Sequence, residues 1–165
     1  AKKVAQKASG FGFKVIAYDP YVSKVNKNIK LVEFSELLSN SDFISIHAPL
    51  TDKTRHSFGE NELKVMKKTA FLINTARGAI IDEAALYKAL KKGLIAGAAL
   101  DVMEKEPPDW ENILLKLDNL IITPHISFYS EESYIELKTK AAEAVVSVLK
   151  GELPKIIVNP QIIKR

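Results

Sequence analysis

The sequence predicts a doubly wound α/β domain, in which helices cover both faces of a parallel sheet. Short apolar runs alternate with amphipathic helical patterns along the chain, and the apolar runs are nearly continuous. Continuous apolar strands are typical of a parallel sheet that is buried on both faces. The chain has 165 residues, of which 47% are hydrophobic. This length and composition make one domain with one core the default.

Five short apolar runs are predicted to form the strands of a single parallel sheet. They are FKVIAYD (13–19), DFISIHA (42–48), AFLINTA (70–76), IAGAALDV (95–102) and NLIITP (119–124).

Capping residues mark the predicted helices, with a serine or aspartate at the start and a glycine at the end. These helices begin at Ser35, Asp82 and Ser130, and the last two end at Gly93 and Gly151. The Ser130 helix is the longest and carries an apolar stripe. A further helical pattern, AKKVAQKA, opens the chain without a preceding strand or glycine-rich turn. After the long helix, GELPKIIVNPQIIKR is predicted to be extended, and both ends indicate that a neighbouring part of the molecule is missing.

Composition and charge argue against several classes of protein. The chain has no cysteine, which removes disulfides, thiolate metal ligands and cysteine nucleophiles. It has no apolar run of 18 residues and no signal-peptide pattern, so we expect a cytoplasmic protein without a membrane partner. The net charge of +4 comes from lysines interleaved with acidic residues, which favours a solvated surface over a nucleic-acid-binding face.

Three polar residues follow three of the predicted strands: Arg77 in INTARG, Glu106 in LDVMEKEP and His125 in ITPHIS. Because the carboxyl ends of parallel strands meet at one edge of a sheet, we expect all three at the same edge. An arginine, a carboxylate and a histidine together can bind a carboxylate substrate and move a proton. The combination predicts an oxidoreductase site, in which a cofactor must supply the hydride.

Two of these residues also have a structural interpretation. Arg77 is one of only three arginines, and its planar fork suits a carboxylate, but it would alternatively pair with Asp82 at the next helix start. Glu106 shares an acidic loop with Asp101 and Glu104, which is also compatible with a metal site of oxygen ligands. We predict no metal, because no cluster of histidine and aspartate supports one.

His125 is the strongest candidate for an acid–base group. It lies just past a strand end, after Pro124, whereas His47 fits a packed strand end and His56 lies in a polar loop. If Glu106 accepts the Nδ1 proton, the hydrogen bond sets the ring tautomer and favours the protonated acid. A protonated imidazole can donate to a carbonyl oxygen while hydride reaches the adjoining carbon.

Asp19 ends the first predicted strand, in YDP, and has two interpretations. In a dinucleotide-binding unit, an acidic residue at this point accepts hydrogen bonds from the adenosine ribose and repels a 2′-phosphate, which favours NAD over NADP. Alternatively, Asp-Pro simply begins a turn. Pro20, Pro49 and Pro124 follow strand ends in the same way and are either walls of a cofactor cleft or ordinary turn residues.

Several segments together resemble the D-isomer-specific 2-hydroxyacid dehydrogenases. They are GFGFKVIAYDP, HAPLTDKTRH, LINTARGAIIDEAAL, AGAALDVMEKEPP, NLIITPHIS and IVNP. Their order and spacing agree over nearly the whole chain, which is more specific than any single motif. The resemblance implies a Rossmann-like NAD-binding domain of a homodimeric enzyme that acts on a small 2-hydroxy or 2-oxo acid.

The resemblance also implies roles for individual residues. Arg77, Glu106 and His125 match the family's catalytic set, with Arg77 binding the substrate carboxylate, His125 acting as acid and base, and Glu106 orienting His125. Asp101 would contact the nicotinamide carboxamide and Asp19 the ribose. The cofactor-lining residues that it implies beside these are Pro20, Ala48, Pro49, Thr54, Thr75 and Ala76.

The chain departs from the family pattern at its start. The family's first strand and GxGxxG turn are absent, and by spacing Ala1 falls at or near the third glycine. We predict a nucleotide-binding domain over residues 1–150, incomplete at its start, and a tail over 151–165 that returns toward a substrate domain absent from this chain. We expect a polypeptide of these residues alone to bind NAD poorly and to be inactive.

The residues that follow His125 resemble two branches of the family. The family often has small residues after its catalytic histidine, whereas this chain has Ser127, Phe128 and Tyr129. Such bulk resembles the D-lactate-dehydrogenase-like and C-terminal-binding-protein-like branches, and Phe128 would then shape the substrate pocket. The leading hypothesis is an NAD-dependent dehydrogenase that interconverts a D-2-hydroxy acid and a 2-oxo acid. The alternatives are an NAD(H)-responsive regulator of corepressor type and an inactive fragment of the dehydrogenase. Formate dehydrogenases fit less well, because they typically carry glutamine where Glu106 stands.

Overall fold

The computed structural model describes residues 1–163 of the chain, apart from the side chain of residue 162. Contacts within the chain divide it into two compact units, Ala1–His125 and a second that begins at Ile126. The strands lie in the first unit, and the longest helix lies in the second. The predicted boundary of a nucleotide-binding domain at residue 150 stays a prediction.

Parallel strands form the centre of the first unit. They are β1 (Val15–Ala17), β2 (Ile29–Leu31), β3 (Phe43–Ile46), β4 (Phe71–Asn74), β5 (Gly97–Leu100) and β6 (Leu120–Ile122). β3, β4, β5 and β6 pair in that order in a four-stranded parallel sheet, and β1 pairs with β2 in a separate parallel ladder. Helices flank the larger sheet in a Rossmann-like arrangement, so the predicted α/β class is confirmed.

The predicted single sheet of five strands is wrong in one respect. β1 lies inside the predicted run 13–19, but it pairs with β2 rather than with a strand of the larger sheet. β2 was not predicted, because its three residues, IKL, are too few to show an apolar pattern. In the larger sheet, the register places Asn74 beside Leu100 and Leu100 beside Ile122. The carboxyl ends of β4, β5 and β6 therefore meet at one edge, as predicted.

Caps and turns set the helix boundaries. The α-helices of the described chain are α1 (Lys2–Gly10), α2 (Phe34–Asn40), α3 (Glu60–Val65), α4 (Glu83–Lys91) and α5 (Glu131–Leu149). Short 3-10 turns lie at Gly78–Ile80, Ile113–Lys116 and Pro160–Ile163. The carboxylate of Asp82 accepts the Ala85 N–H at 3.0 Å, and the Ser130 hydroxyl accepts the Ser133 N–H at 3.1 Å. These two caps confirm the predicted starts of α4 and α5.

Two predicted helical boundaries need correction. α2 begins at Phe34 after an extended Glu33, so Ser35 lies inside the helix rather than capping it. α3 was missed, since its six residues are too short and too polar to show a helical stripe. The predicted extended tail over 151–165 ends in the 3-10 turn at Pro160–Ile163, and its last two residues lie outside the described residues.

The core of the first unit lies between the larger sheet and the helices that pack on it. Leu72 of β4, Leu63 of α3 and Leu86 of α4 are fully buried. Complete burial of a leucine side chain contributes about 1.5–3 kcal/mol. β4 is thus anchored among buried side chains, and this anchors the turn that leaves its carboxyl end.

The second unit begins at Ile126 and contains α5 with the segments on either side of it. The predicted apolar stripe of α5 is exposed, with 56% of Leu137 and 60% of Val148 accessible. A groove of about 340 Å³ lies between the end of α5 and the segment around Pro154 and Ile156. In the part of the chain that the structure describes, no helix is long and apolar enough to cross a membrane.

Candidate active site

The structure brings Glu106 and His125 into direct contact. Nδ1 of His125 lies 2.8 Å from Oε2 of Glu106, and Oε1 of Glu106 accepts the backbone N–H of Met103 at 2.9 Å. The side chain of Glu106 is 39% exposed and that of His125 is 46% exposed. The contact therefore lies at the surface of the sheet edge, where a ligand can reach it.

Glu106 is ionised at neutral pH. Its partial burial raises the pKa of its carboxyl, but the hydrogen bonds from His125 and the Met103 N–H outweigh burial, and the net pKa is lowered. A carboxylate on Nδ1 fixes the orientation and tautomer of the imidazole. Nε2, on the opposite side of the ring, is then the nitrogen that can exchange a proton with a ligand.

The backbone of His125 adopts a conformation that is uncommon for a residue other than glycine. Its φ angle is 52°, in the left-handed region. Its N–H donates to the carbonyl oxygens of Asp101, at 2.8 Å, and of Thr123, at 3.0 Å. These bonds hold the strained turn at the end of β6, and strain of this kind is concentrated at functional sites.

Asp101 is a buried carboxylate at the end of β5. Only 4% of its surface is exposed, and its Oδ1 accepts the Thr123 hydroxyl at 2.5 Å. Burial of a charge is costly unless hydrogen bonds compensate, so Thr123 stabilises a carboxylate that the fold keeps beside the Glu106–His125 pair. A cofactor contact by Asp101 was implied by the family resemblance alone, and Thr123 was not predicted to belong to the site. The buried hydroxyl–carboxylate pair had no local signal, because 22 positions separate its members.

Arg77 lies in the turn that leaves β4, and its side chain is exposed. Nη1 donates to the carbonyl oxygen of Ala76 at 2.6 Å, which uses one N–H of a guanidinium that has five. The alternative partner, Asp82, caps α4, and the described residues contain no ion pair between Asp82 and Arg77. The amide of Asn74 binds the same turn, although Asn74 was not predicted as a site residue.

Gly78 packs the Arg77 turn against the loop that carries Glu106. A Cβ atom built on Gly78 would lie 2.0 Å from the carbonyl carbon of Met103 and 2.1 Å from its oxygen. Only glycine permits this approach of the two backbones. The loops that carry Arg77 and Glu106 are therefore in contact through Gly78 and Met103.

The predicted cofactor-lining residues occupy turns at the carboxyl ends of the strands. Asp19 follows β1, and its Oδ1 accepts the Tyr21 N–H at 2.9 Å, so it does begin a turn. This bond uses one carboxylate oxygen and is compatible with ribose binding by the other. After β3, the Thr54 hydroxyl donates to the carbonyl oxygen of Pro49 at 2.7 Å and closes the turn that follows Ala48.

This set of groups fits a dinucleotide. Parallel α/β sheets bind nucleotides outside the carboxyl ends of their strands, where Pro20, Ala48, Thr75 and Ala76 also lie. Asp19 offers an exposed carboxylate and Asp101 a buried one. The residues present therefore supply hydrogen-bond acceptors at separate strand ends, as an extended ligand with several hydroxyl and amide groups requires.

The other two histidines, His47 and His56, and the predicted pocket residue Phe128 make no contact with the Glu106–His125 pair among the hydrogen bonds and ion pairs of the described residues. Nε2 of His56 contacts Oε1 of Glu104 at 3.1 Å, and His56 shares the φ of 52° found at His125. Partial desolvation lowers the pKa of His47. Phe128 belongs to the second unit and is exposed, so its role in a pocket stays a prediction. Among the described residues, no three acidic or histidine side chains are placed to hold a metal ion.

Comparison with known proteins identifies the family. Residues 1–127 match the family described as D-isomer specific 2-hydroxyacid dehydrogenase, NAD binding domain. The chain is 42% identical over 164 residues to a glyoxylate reductase of Korarchaeum cryptofilum, covering 98% of this chain and 49% of the reductase. It is 47% identical over 162 residues to a D-3-phosphoglycerate dehydrogenase of Methanocaldococcus jannaschii, covering 96% of this chain and 31% of that protein.

The fold agrees with the sequence comparison. The crystal structure of a D-lactate dehydrogenase with NAD+ from Lactobacillus jensenii superposes with a TM-score of 0.84 and 32% identity. The match covers 94% of this chain and 51% of that one, so the chain spans about half the length of such relatives. The parallel sheet carries a Glu–His pair at its carboxyl edge, and the family match covers residues 1–127. The chain therefore belongs to the D-isomer-specific 2-hydroxyacid dehydrogenase family, and the match is to its NAD-binding domain.

Proposed function

We propose that the protein containing this chain reduces a small 2-oxo acid to a D-2-hydroxy acid with NADH and catalyses the reverse reaction. The observation that carries the proposal is the 2.8 Å contact between His125 Nδ1 and the ionised Glu106. A histidine held by a carboxylate on one nitrogen can move a proton through the other. The full-length protein is the proposed enzyme, since this chain spans about half of its relatives.

His125 is the proposed acid and base. In the reduction, its protonated Nε2 donates to the carbonyl oxygen of the 2-oxo acid, which becomes the hydroxyl of the product. In the oxidation, neutral Nε2 accepts that hydroxyl proton. Glu106 stabilises the imidazolium and keeps the ring in one orientation, so that Nε2 faces the same point in both directions.

Arg77 is the proposed binding group for the substrate carboxylate. The guanidinium is a planar fork that matches the two oxygens of a carboxylate and remains charged at every relevant pH. Its exposed position at the carboxyl edge of the sheet leaves it accessible to a small ligand. Charge neutralisation by Arg77 also fixes which end of the substrate lies toward His125.

NADH, when bound, supplies the hydride. Asp19 would accept the adenosine ribose hydroxyls, and Asp101 would accept the carboxamide of the nicotinamide. The turn residues that would line the dinucleotide are Pro20, Ala48, Pro49, Thr54, Thr75 and Ala76. The exposed carboxylate of Asp19 would also repel a 2′-phosphate, which supports NAD over NADP.

The site and the relatives both support this substrate class. The guanidinium of Arg77 suits a carboxylate, and the imidazole of His125 suits an adjoining carbonyl or hydroxyl. The related proteins are named glyoxylate reductase and D-3-phosphoglycerate dehydrogenase, and these names describe enzymes that act on compounds of this class. A cytoplasmic location and a homodimer remain part of the proposal. Light scattering of the intact protein checks the dimer.

The test is steady-state turnover of the full-length protein, followed as NADH oxidation with glyoxylate, pyruvate and hydroxypyruvate. His125→Ala is expected to abolish turnover while leaving NADH binding, measured by fluorescence titration, nearly unchanged. Turnover of His125→Ala at the wild-type rate would contradict the assignment.

His56→Ala is a matched control for this experiment. His56 has the same φ of 52° and also contacts a carboxylate of the loop between β5 and β6, at Glu104. The two substitutions therefore remove the same side chain from the same backbone conformation. Only the loss at His125 is expected to abolish turnover, and an equal loss at His56 would indicate a structural effect on the loop.

A further inference from the structure

We propose that Asn74 is a positioning residue that holds the turn carrying Arg77 in the orientation needed to bind the substrate carboxylate. The inference rests on the proposed role of Arg77 and adds a residue that does not itself touch substrate or cofactor. It predicts that substitutions of Asn74 weaken substrate binding through the turn.

Both ends of the Asn74 amide bind the turn that follows β4. Nδ2 donates to the carbonyl oxygen of Arg77 at 2.9 Å, and Oδ1 accepts the backbone N–H of Ala76 at 3.0 Å. The Asn74 residue has no exposed surface. A buried amide with both partners on one turn clamps that turn, because release of either partner would leave a buried polar group unpaired.

At neutral pH, an amide of this length supplies both bonds where an ionised carboxylate supplies only one. The turn needs one donor for the Arg77 carbonyl and one acceptor for the Ala76 N–H, on a side chain of fixed length. Aspartate has the same shape but only acceptors when it is ionised, and serine presents a single oxygen. The requirement for asparagine is therefore chemical, beyond the volume it fills.

Asn74 also connects the turn to the rest of the site. Its carbonyl oxygen accepts the backbone N–H of Asp101 at 2.9 Å. Its side chain thus fixes the Arg77 turn while its backbone is bonded to the end of β5. A shift of about 1 Å in a group that positions substrate can lower activity by about 100-fold, so a clamp at this point affects binding strongly.

The experiment measures KM for glyoxylate and the NADH dissociation constant of the full-length protein with Asn74→Ala and Asn74→Asp, from pH 5 to pH 8. KM does not depend on the fraction of molecules that fold, so it separates positioning from a loss of stability. We expect both variants to raise KM by about tenfold or more at pH 8, as expected for misplacement of a binding group.

The pH dependence distinguishes the two variants. A buried carboxyl has a raised pKa, and its protonated form donates a hydrogen bond as the amide does. The ratio of the Asn74→Asp KM to the wild-type KM at the same pH is therefore expected to fall toward 1 as the pH decreases. The ratio for Asn74→Ala is expected to stay constant. If Asn74→Ala does not fold, the recovery of Asn74→Asp alone tests the proposal.

Asn119→Asp is the matched control. Nδ2 of Asn119 donates to the carbonyl oxygens of Leu90 and Ala96, at the opposite edge of the sheet. The same substitution there is expected to leave KM unchanged. A KM within about twofold of wild type for both Asn74 variants, or an equal rise for Asn119→Asp, would overturn the inference. Absence of wild-type turnover with any 2-oxo acid would reject the proposed function and this inference with it.

Discussion

The carbonyl oxygen of Asp101, the residue after β5, accepts the backbone N–H of His125 at 2.8 Å, three residues past the last paired residue of β6. The N–H of Asp101 in turn donates to the carbonyl oxygen of Asn74 at 2.9 Å. Backbone hydrogen bonds therefore continue across the sheet edge after the strands have ended. The position of His125 is set by its neighbouring strand as well as by its own, which keeps an exposed acid–base group in a fixed place.

Thr123→Val tests the hydrogen bond that supports Asp101. Valine has nearly the shape of threonine, so the change removes the hydroxyl donor from a buried carboxylate and little else. Loss of a hydrogen bond to a buried charged group costs about 1.5–3 kcal/mol. We expect a lower free energy of unfolding in urea and weaker NADH binding. Thr139→Val, on the exposed surface of α5, is the control and is expected to change neither.

Glu106→Gln tests the carboxylate that orients His125. Glutamine keeps the shape and can still meet the ring, but it does not stabilise the imidazolium. We expect kcat to fall by about 100-fold, within the range of acid–base catalysis, with NADH binding retained. A kcat within a factor of about two of wild type would show that the charge of Glu106 is not used.

The same variant gives a pH dependence of stability. The pKa of Glu106 in the folded protein lies below its ordinary value of 4.5. The ionised carboxylate thus stabilises the fold fully above that value, and this contribution is lost as the pH falls through the folded pKa. The Tm of wild type is expected to exceed that of Glu106→Gln at about pH 6, and the difference is expected to shrink by about pH 4. A difference that grows on acidification would contradict the sign of the shift.

The sequence predicts the strands of the larger sheet and the edge at which Arg77, Glu106 and His125 lie. This is possible because nearly continuous apolar runs and strand order determine the edge without any side-chain detail. α3 and β2 were missed, since elements of six and three residues carry little periodicity and depend on tertiary packing.

The site itself is predictable only in part. The residue types at the strand ends are visible in the sequence, but the partners that hold them are set by backbone geometry. The close approach at Gly78 and the buried bond from Thr123 join positions that only the folded chain brings together. The Asn74 clamp spans two and three residues, but it depends on the conformation of the turn after β4. An asparagine in an apolar strand, as in FLIN, is the one local signal that would have indicated a buried polar role.

Gly78→Ala tests the contact between the Arg77 turn and the Glu106 loop. The new Cβ would lie about 2 Å from the Met103 carbonyl group, so one of the two backbones must move. Overpacking of this kind costs about 1–3 kcal/mol or more, and we expect a lower Tm together with a higher KM for the 2-oxo acid. Gly10→Ala is the control, because a Cβ on Gly10 meets nothing within 4 Å. Unchanged KM in Gly78→Ala would show that the two loops are not coupled.

Asp19→Ala tests the choice of cofactor. The carboxylate of Asp19 is exposed, and one of its oxygens already accepts the Tyr21 N–H. If the other accepts ribose hydroxyls, alanine removes that bond and also the charge that repels a 2′-phosphate. We expect kcat/KM for NADH to fall and that for NADPH to rise, so that the ratio of the two falls by about tenfold or more. Asp118→Ala, at the opposite end of the strands, should leave the ratio unchanged. An unaltered ratio in Asp19→Ala would mean that Asp19 only begins the turn and that NAD is selected elsewhere.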